Sequence, residues 1–305
     1  MEVIHIQLNS VSSLEDTCVA LGFFDGLHLG HLELLNKVQE IANQNGLKKA
    51  LMTFNQHPKS YLLEHDFHYL SSLEDKIEIL KEYQFDYLLV IDFDEAVAKL
   101  SPTDFIEQYI VKQNIKYVVC GFDYHFGSYG SGHANTLQAL ANARYQVVVI
   151  NEKQVHGKKI SSSYIRELLM LGKVEQVTTL LNREYAIKGE VVHGREIGRT
   201  IGFATANINY GQYVLPKKGV YGVNVYVKDK QYIGMANIGF NPTFGDLTKP
   251  SLEVHIFDFN EDIYGEVIRA TFSTHIREEV KFSSKEELIY QLQQDQLAIK
   301  KYFNK

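Results

Sequence analysis

Short apolar runs alternate with segments of helical spacing through the first half of the chain. Five runs that are apolar almost throughout predict strands, at 19–24, 50–54, 87–91, 117–120 and 146–150. Four segments between them predict helices, at 31–44, 72–83, 102–112 and 134–143. Strands that are apolar on both faces, with helices between them, indicate an α/β domain built on a doubly wound parallel sheet.

Shorter runs, in which apolar and polar positions alternate and glycines intervene, replace this pattern in the second half. They predict strands at 189–194, 221–227, 232–238, 252–257 and 267–272, with a polar hairpin turn at 228–230. Such strands are typical of a small antiparallel β-barrel. An apolar face after Ser283 or Ser284 predicts a final helix. The change of pattern predicts two domains, 1–182 and 183–305.

Composition narrows the class of protein. The chain has 305 residues, which is long for one domain, and 45% of them are hydrophobic, which is ample for a core. A formal net charge of −6 argues against a nucleic-acid partner. We expect neither a secretory signal nor a membrane span. Cys18 and Cys120 both lie in predicted buried strands, so we expect small core side chains in a reducing cytoplasm rather than a disulfide.

The stretch GFFDGLHLGH at 22–31 joins the first predicted strand to the first predicted helix. His28 and His31 stand at the start of that helix, where unpaired backbone N–H groups and the positive end of the helix dipole favour bound phosphate. Gly26 and Gly30 leave room for a ligand to approach the backbone. From this motif alone, two other interpretations stay open: a zinc ion shared by the histidines, or two structural histidines at a helix start.

The same stretch resembles the HxGH signature of the nucleotidylyltransferases. With Phe24 and Asp25 ahead of it, it resembles the bacterial bifunctional riboflavin kinase/FAD synthetase family. In that family the histidines bind ATP phosphates and stabilise charge while AMP is transferred to FMN, and the resemblance implies these roles for His28 and His31. The nucleotide-binding residues that it implies in this stretch are Gly22, Phe24, Asp25, Gly26 and Gly30.

A glycine-containing stretch, CGFDYHFGSYGSG at 120–132, carries the resemblance further. It implies that Asp123 and Phe126 bind the flavin. His125 and Gly130 stand where the family has arginines, and the loss of two fixed cations should weaken contacts with anions.

A run of hydroxyl side chains, ISSSYIR at 160–166, opens the next predicted helix and could simply cap it. It also resembles the family pattern SSTxIR, which contacts the ATP phosphates. The resemblance implies that Ser162 and Ser163 bind phosphate and that Arg166 stabilises charge during the reaction. The alternative for Arg166 is a solvated helix residue.

In the second half, residues 198–207 resemble the riboflavin kinase signature, with Ala204 where proline is usual. The resemblance implies that Gly198, Thr205 and Asn207 bind the nucleotide phosphates. Thr205 and Asn207 would also hold Mg²⁺, since oxygen ligands suit an ion that is shared with ATP. A polar turn between two strands is the alternative.

Glu253 alternates with apolar neighbours in LEVH at 252–255, so it faces away from them on a strand. Such a residue usually faces solvent. Here it aligns with the catalytic base of the family, a carboxylate that accepts the proton of the ribityl hydroxyl as that hydroxyl attacks the γ-phosphate. Tyr221 and Arg277 match family positions, and the resemblance implies that both bind the flavin, with Arg277 near the flavin or the nucleotide.

The resemblance covers about residues 15–303 and implies an enzyme of flavin nucleotide biosynthesis. The barrel would phosphorylate riboflavin to FMN with ATP, and the N-terminal domain would adenylylate FMN to FAD, with Mg²⁺ as cofactor. Two alternatives stay open: an enzyme that retains one of these activities, or a flavin-binding regulator without turnover. We expect small-molecule substrates, no nucleic-acid or membrane partner, and a cytoplasmic monomer or weak homo-oligomer.

Overall fold

The structure is a computed structural model that describes residues 1–10, 14–63, 67–155, 157–194, 198–239 and 250–304. Its contacts divide the chain into two compact units, Met1–Ser162 and Ser163–Lys305. The helices between residues 162 and 181 therefore group with the second unit. The functional domain boundary after residue 182 stays a prediction.

The first unit is an α/β domain. Its strands, in chain order, are β1 (Glu2–Ile6), β2 (Thr17–Leu21), β3 (Lys48–Phe54), β4 (Tyr87–Ile91), β5 (Ile115–Gly121), β6 (His125–Phe126), β7 (Gly132–His133), β8 (Gln146–Ile150), β9 (Gln154–Val155) and β10 (Lys158–Lys159). Its helices are α1 (Leu29–Asn45), α2 (Pro58–Leu63), α3 (Leu73–Glu82), α4 (Glu95–Ala98), α5 (Pro102–Ile106), which continues as a π-helical turn at Glu107–Val111, and α6 (Ala134–Ala139).

Six of these strands form a parallel sheet in the order β1-β4-β3-β2-β5-β8 among the residues described. Alternate residues of β2 face two different cores. Val19 packs in the core that contains α5 and α6, whereas Ala20 packs in the core that contains α1. The predicted doubly wound parallel sheet is thus confirmed.

Burial on both faces of the sheet also explains why the two cysteines are buried far from solvent and not joined. Cys18 lies in the core on the α1 face, and Cys120 lies in the core on the opposite face of the sheet. Both thiols are free, as predicted, and burial raises the pKa of each to about 12. They are therefore small core side chains with little thiolate character.

Local sequence signals fix the ends of several helices. Gly46 ends α1 in the left-handed conformation, with φ of 66°, which a glycine adopts easily. Ser72 and Asp75 form a capping box at the start of α3. Ser101 caps α5, with Pro102 at the first helical position. The pattern missed β1, because an edge strand is only partly covered: of its five residues only Ile6 is buried.

The second unit is a closed antiparallel barrel with flanking helices. Its elements are α7 (Ser162–Met170), which starts at the end of the first unit, α8 (Val174–Leu181), β11 (Tyr185–Val192), β12 (Ala206–Asn209), β13 (Gly219–Val227), β14 (Lys230–Gly239), β15 (Ser251–Ile256), β16 (Val267–Arg277) and α9 (Lys285–Phe303). Across the described ranges the barrel order is β11-β12-β15-β14-β13-β16, which confirms the predicted barrel. The side chain of Ser284 caps α9, and Ile299 of α9 packs against the barrel.

Candidate active sites

The stretch 22–31 lies where the parallel sheet changes its winding direction. It follows the carboxyl end of β2, which has β3 on one side and β5 on the other. The chain adds further strands outward from β2 in both directions. In open α/β sheets, such a switch point leaves a crevice outside the strand ends, and ligands bind there. The predicted phosphate-binding motif therefore occupies the usual ligand position of this fold.

His28 is the N-cap residue of α1. Its backbone is extended, with φ of −72° and ψ of 170°, and its Nδ1 accepts a hydrogen bond from the backbone N–H of His31 at 3.3 Å. Because Nδ1 accepts, the neutral imidazole carries its proton on Nε2. The two imidazole rings stack with centroids 3.7 Å apart. A Cβ on Gly30 would lie 3.2 Å from His28 Nδ1, so a glycine gives the ring room over the first turn of α1.

The zinc alternative loses support in this geometry. Among the described parts of the chain, no group of three His, Cys, Asp or Glu side chains is placed to hold a metal ion. A protein zinc site needs three or four such ligands. The structural interpretation of His28 as a helix cap and the proposed phosphate contact are compatible, since the cap uses Nδ1, one of the two ring nitrogens.

Asp25 holds the motif against a neighbouring loop. Its side chain is 4% exposed, and Oδ1 accepts hydrogen bonds from the backbone N–H groups of Leu70 at 2.8 Å and Ser71 at 3.3 Å. The N–H of Gly26 donates to the hydroxyl of Ser71 at 2.9 Å. These contacts give Asp25 and Gly26 a positioning role. Nucleotide contact by Gly22, Phe24, Asp25, Gly26 or Gly30 stays a prediction.

Lys76 on α3 was missed by the sequence reasoning. Its side chain is 3% exposed, and its ammonium donates to the Phe23 carbonyl oxygen at 2.8 Å and lies 4.3 Å from the centroid of the Phe23 ring. Burial lowers its pKa to about 8, although Asp25 and Asp75 oppose the shift. One signal was available: Lys76 stands four residues before the core residue Leu80, and so on the buried face of α3.

The buried Lys76 predicts a pH-dependent stability. Below pH 8 both states of the protein carry the lysine charge, and its burial penalty is fully present in the native state. Between pH 8 and 10.5 the unfolded state binds more protons, so the free energy of unfolding rises with pH. We expect wild type to gain about 2 kcal/mol relative to Lys76→Met between pH 7 and 9.5. Urea unfolding of the first unit, followed by circular dichroism, measures this difference.

Lys81→Met is the matched control, since Lys81 is an exposed lysine of the same helix. Its free energy of unfolding should follow that of wild type at both pH values. An equal difference between wild type and Lys76→Met at pH 7 and pH 9.5 would contradict the assignment of a depressed pKa to Lys76.

The boundary between the two units falls within the serine run that follows β10. The hydroxyl of Ser162, the last residue of the first unit, donates to the carbonyl oxygen of Asp25 at 2.9 Å, so it touches the histidine motif directly. Ser163 and Arg166 lie on α7 and belong to the second unit. Phosphate binding by Ser162, Ser163 and Arg166 stays a prediction.

The stretch 120–132 forms the hairpin β6–β7, in which His125 is paired with His133. Phe126 is 4% exposed and packs in the core against Phe105, so its ring supports the hairpin. Asp123 is exposed and forms an ion pair with Lys159 at 2.5 Å.

The two departures from the family pattern contact each other in this hairpin, since His125 Nδ1 lies 3.1 Å from the Gly130 carbonyl oxygen. No fixed arginine takes the place of either one in the sequence 120–132. Flavin binding by Asp123 and Phe126 stays a prediction.

The second unit contains a cavity of about 280 Å³ beside the barrel. Its polar lining includes Thr205, Asn237, Glu253, His255 and Arg277. Its apolar lining includes Phe203, Val220, Met235, Phe282, Leu288 and Leu292. A cavity that is mostly apolar and carries a few convergent polar groups suits a flat aromatic ligand with one polar end.

Residues predicted from two separate motifs meet here, and two of them, Thr205 and Glu253, line the cavity. Glu253 on β15 is paired in register with Asn207 on β12, and its Oε2 accepts a hydrogen bond from the Thr205 hydroxyl at 3.3 Å. Asn207 is 7% exposed, and a Cβ on Gly194 would lie 2.1 Å from its Nδ2, so only glycine fits there. The polar turn assumed as the alternative is instead partly strand β12.

A second cavity, of about 400 Å³, adjoins the same segment. Its lining includes Ala204, Thr205, Val254, Phe259, Asp262 and Tyr264. Thr205 lines both cavities, so its hydroxyl stands between two potential ligands. Gly198, at the start of the same segment, has no room for a side chain, because a Cβ there would lie 2.1 Å from the Phe203 carbonyl oxygen.

Arg277 is held at the first cavity by α9. Its guanidinium donates to both carboxylate oxygens of Asp295, with contacts of 2.8–3.0 Å, and Asp295 is only 2% exposed. A buried, doubly hydrogen-bonded pair of this kind fixes the direction of the guanidinium. Tyr221, by contrast, is fully buried, and its hydroxyl donates to the Lys217 carbonyl oxygen. Flavin binding by Arg277 and Tyr221 stays a prediction.

The fold and the two sites together define a class of protein. A helix start with two histidines at the switch point of a parallel sheet is a place where nucleotide phosphates can bind. A barrel in which a threonine lines two cavities and contacts a carboxylate is suited to phosphoryl transfer between two bound substrates. The chain is thus a two-site transferase.

Comparison with known proteins makes the assignment specific. The family model of FAD synthetase matches residues 10–164, and that of riboflavin kinase matches residues 181–303. The bifunctional riboflavin kinase/FMN adenylyltransferases of Listeria monocytogenes and Bacillus subtilis are 40% and 41% identical to this chain, over 94% of it and 92% of their own lengths. The chain belongs to the bifunctional riboflavin kinase/FMN adenylyltransferase family, which confirms the predicted family, fold class and transferase chemistry.

One solved structure resembles the chain over its full length. It is described as a macrolide-efflux protein from Streptococcus pneumoniae, is 34% identical, covers 98% of both chains and has a TM-score of 0.88. Within the described ranges of the present chain, no helix combines the length and the apolar character needed to span a membrane.

Proposed function

We propose that the barrel unit transfers the γ-phosphate of ATP to riboflavin, giving FMN, and that the parallel-sheet unit transfers AMP from ATP to FMN, giving FAD and pyrophosphate. The observation that carries this proposal is the contact between the Thr205 hydroxyl and Glu253 at the first cavity, with Thr205 also lining the second cavity and Asn207 paired in register with Glu253. One cavity has an apolar wall suited to an isoalloxazine ring, and the other is open to a nucleotide.

In the kinase step, Glu253 is the general base. Its carboxylate accepts the proton of the terminal ribityl hydroxyl while the oxygen of that hydroxyl bonds to the γ-phosphorus and ADP leaves. The hydroxyl of Thr205, which donates to Glu253 in the structure, orients the carboxylate. Arg277, whose guanidinium is fixed by Asp295, binds the ligand in this cavity.

The oxygen donors at this site fit a magnesium ion. Thr205 and Asn207 supply a hydroxyl and a buried amide beside one carboxylate, a donor set that suits Mg²⁺ shared with the phosphates of ATP. When bound, the ion would neutralise phosphate charge. Glu253 stays the proton acceptor in this assignment.

In the adenylyl step, the chain acts by positioning and charge stabilisation. A phosphate oxygen of FMN bonds to the α-phosphorus of ATP, and the bond to the bridging oxygen of pyrophosphate breaks. The Nε2 proton of His28, the ring of His31 and the backbone amides at the start of α1 stabilise the added negative charge. Ser162 fixes the motif by its bond to the Asp25 carbonyl oxygen. A covalent intermediate is not needed.

The substrates are small molecules, and we propose a cytoplasmic enzyme that is a monomer or a weak homo-oligomer. The two free, buried thiols accord with a reducing compartment.

Product analysis tests both activities at once. The protein is incubated with riboflavin and Mg-ATP, or with FMN and Mg-ATP, and the flavins are separated. We expect FMN and then FAD from riboflavin, and FAD from FMN. FMN as the end product in both reactions would leave a kinase only. FAD from FMN, with nothing formed from riboflavin, would leave an adenylyltransferase only. Flavin binding without any product would indicate a regulator.

A further inference from the structure

His255 stands beside the proposed catalytic base. It follows Glu253 by two residues on β15, where residues 251, 253 and 255 are half-buried and the residues between them are fully buried. Glu253 and His255 therefore face the same side of the strand, and both line the cavity of about 280 Å³. Two residues along a strand span about 6.6 Å. No motif singled out His255.

One ring nitrogen of His255 is already used. Nδ1 lies 2.7 Å from the carbonyl oxygen of Ala204, and because a carbonyl oxygen can only accept, Nδ1 carries the proton and donates. In the neutral ring Nε2 is then an acceptor. The rings of Phe203 and Phe257 lie near the imidazole, with centroids 5.2 and 5.6 Å away. Burial lowers the pKa of His255 and favours the neutral form, against the bond to Ala204 and the charge of Asp258.

The acceptor at Nε2 has no donor within the structure's described ranges, where the ring's hydrogen bonding is limited to the Ala204 contact. Because His255 lines the cavity, a bound ligand can donate a hydrogen bond to its Nε2. An acceptor held in this way, next to apolar walls, discriminates strongly for a ligand that supplies a hydrogen-bond donor at the matching place.

We propose that His255 is a specificity residue for the flavin, and that its Nε2 accepts a hydrogen bond from a non-reacting hydroxyl group of the ribityl chain. The inference rests on the proposed kinase function, which places the terminal hydroxyl at Glu253. The spacing of Glu253 and His255 is comparable to the distance between the outermost hydroxyls of a ribityl chain. The ring system, whose own N–H group lies farther from the terminal hydroxyl, takes the apolar side lined by Met235, Leu288 and Leu292.

Two variants separate the two nitrogens of the imidazole. In His255→Asn the amide N–H occupies the place of Nδ1, so the bond to Ala204 is kept and the acceptor at Nε2 is lost. In His255→Gln the amide oxygen reaches the place of Nε2, so the acceptor is kept and the bond to Ala204 is lost. The probes are riboflavin and a flavin whose ribityl chain is replaced by 5-hydroxypentyl, which keeps only the reactive hydroxyl.

We expect wild type to prefer riboflavin over the hydroxypentyl flavin in kcat/KM by about tenfold or more through this one bond. His255→Asn should lose the part of the preference for riboflavin that this bond provides, and His255→Gln should keep it. The same ratio should appear in dissociation constants measured by flavin fluorescence with Mg-ADP present. FAD formation from added FMN reports that the variants are folded.

A preference that survives in His255→Asn and disappears in His255→Gln would overturn the proposal, because only the bond to Ala204 would then matter. So would an equal loss on both flavins in both variants. Failure of the wild type to phosphorylate either flavin would instead refute the kinase function, and the ratio of dissociation constants would still decide the role of His255.

Discussion

Replacing His28 by asparagine should abolish FAD formation from FMN while FMN formation from riboflavin continues. Asparagine is among the best N-cap residues, so its side-chain oxygen can accept the His31 N–H in place of Nδ1. The start of α1 is then preserved, and the variant lacks the imidazole ring to which we assign stabilisation of the transferred phosphate. Loss of one preorganised donor to developing charge costs about 10²–10³-fold in rate, and separation of flavins after incubation with FMN and Mg-ATP measures it.

The alanine variant is the informative comparison. His28→Ala loses the phosphate donor and the helix cap together, so it should match His28→Asn in activity and fall below it in stability by about 1 kcal/mol. Circular dichroism gives the stability, and the kinase reaction of the same samples controls for general damage. FAD formation near the wild-type rate in His28→Asn would remove this histidine from the mechanism.

Replacing Glu253 by glutamine should have the opposite outcome. The amide has nearly the shape of the carboxylate, and its oxygen can still accept the hydrogen bond from Thr205. It cannot take up the proton of the attacking hydroxyl, and loss of a general base costs about 10²–10⁴-fold. We expect FMN formation from riboflavin to fall by at least 10²-fold, while FAD is still made from added FMN.

Glu190→Gln is the matched control for this variant. Glu190 is an exposed glutamate of the same barrel, on β11, and it lines neither cavity. It should phosphorylate riboflavin at the wild-type rate. If Glu253→Gln and His28→Asn abolish the same product, the assignment of one reaction to each unit is wrong.

The sequence predicted the fold well for strands that are buried on both faces of the sheet. Strands such as β2, which pack on both faces, are apolar throughout, and their pattern is easily told from that of helices. Two of the strands that were missed, β1 and β12, break this rule for physical reasons. β1 is an edge strand with one buried residue, and β12 is a four-residue strand that carries two asparagines, one of them buried in the site.

The residues of the candidate site were predicted only where they belong to a sequence motif of the family. The resemblance named Thr205 and Asn207 from one motif and Glu253 from another, and the barrel brings the two motifs together. The resemblance could not reveal contacts between residues that are distant in the chain. Lys76 is 53 residues from Phe23, and Asp295 is 18 residues from Arg277. Nor could it reveal that the ring of Phe126 is buried in the core beneath its motif.

The bond between Arg277 and Asp295 has a consequence for synthesis of the protein. Asp295 lies on α9, downstream of every barrel strand, and Leu288 and Leu292 of the same helix line the cavity beside Arg277. On the ribosome, all six strands can therefore emerge and pair while the cavity still lacks one wall and the partner of its arginine. The cavity of the barrel unit is thus completed only when α9 has been made.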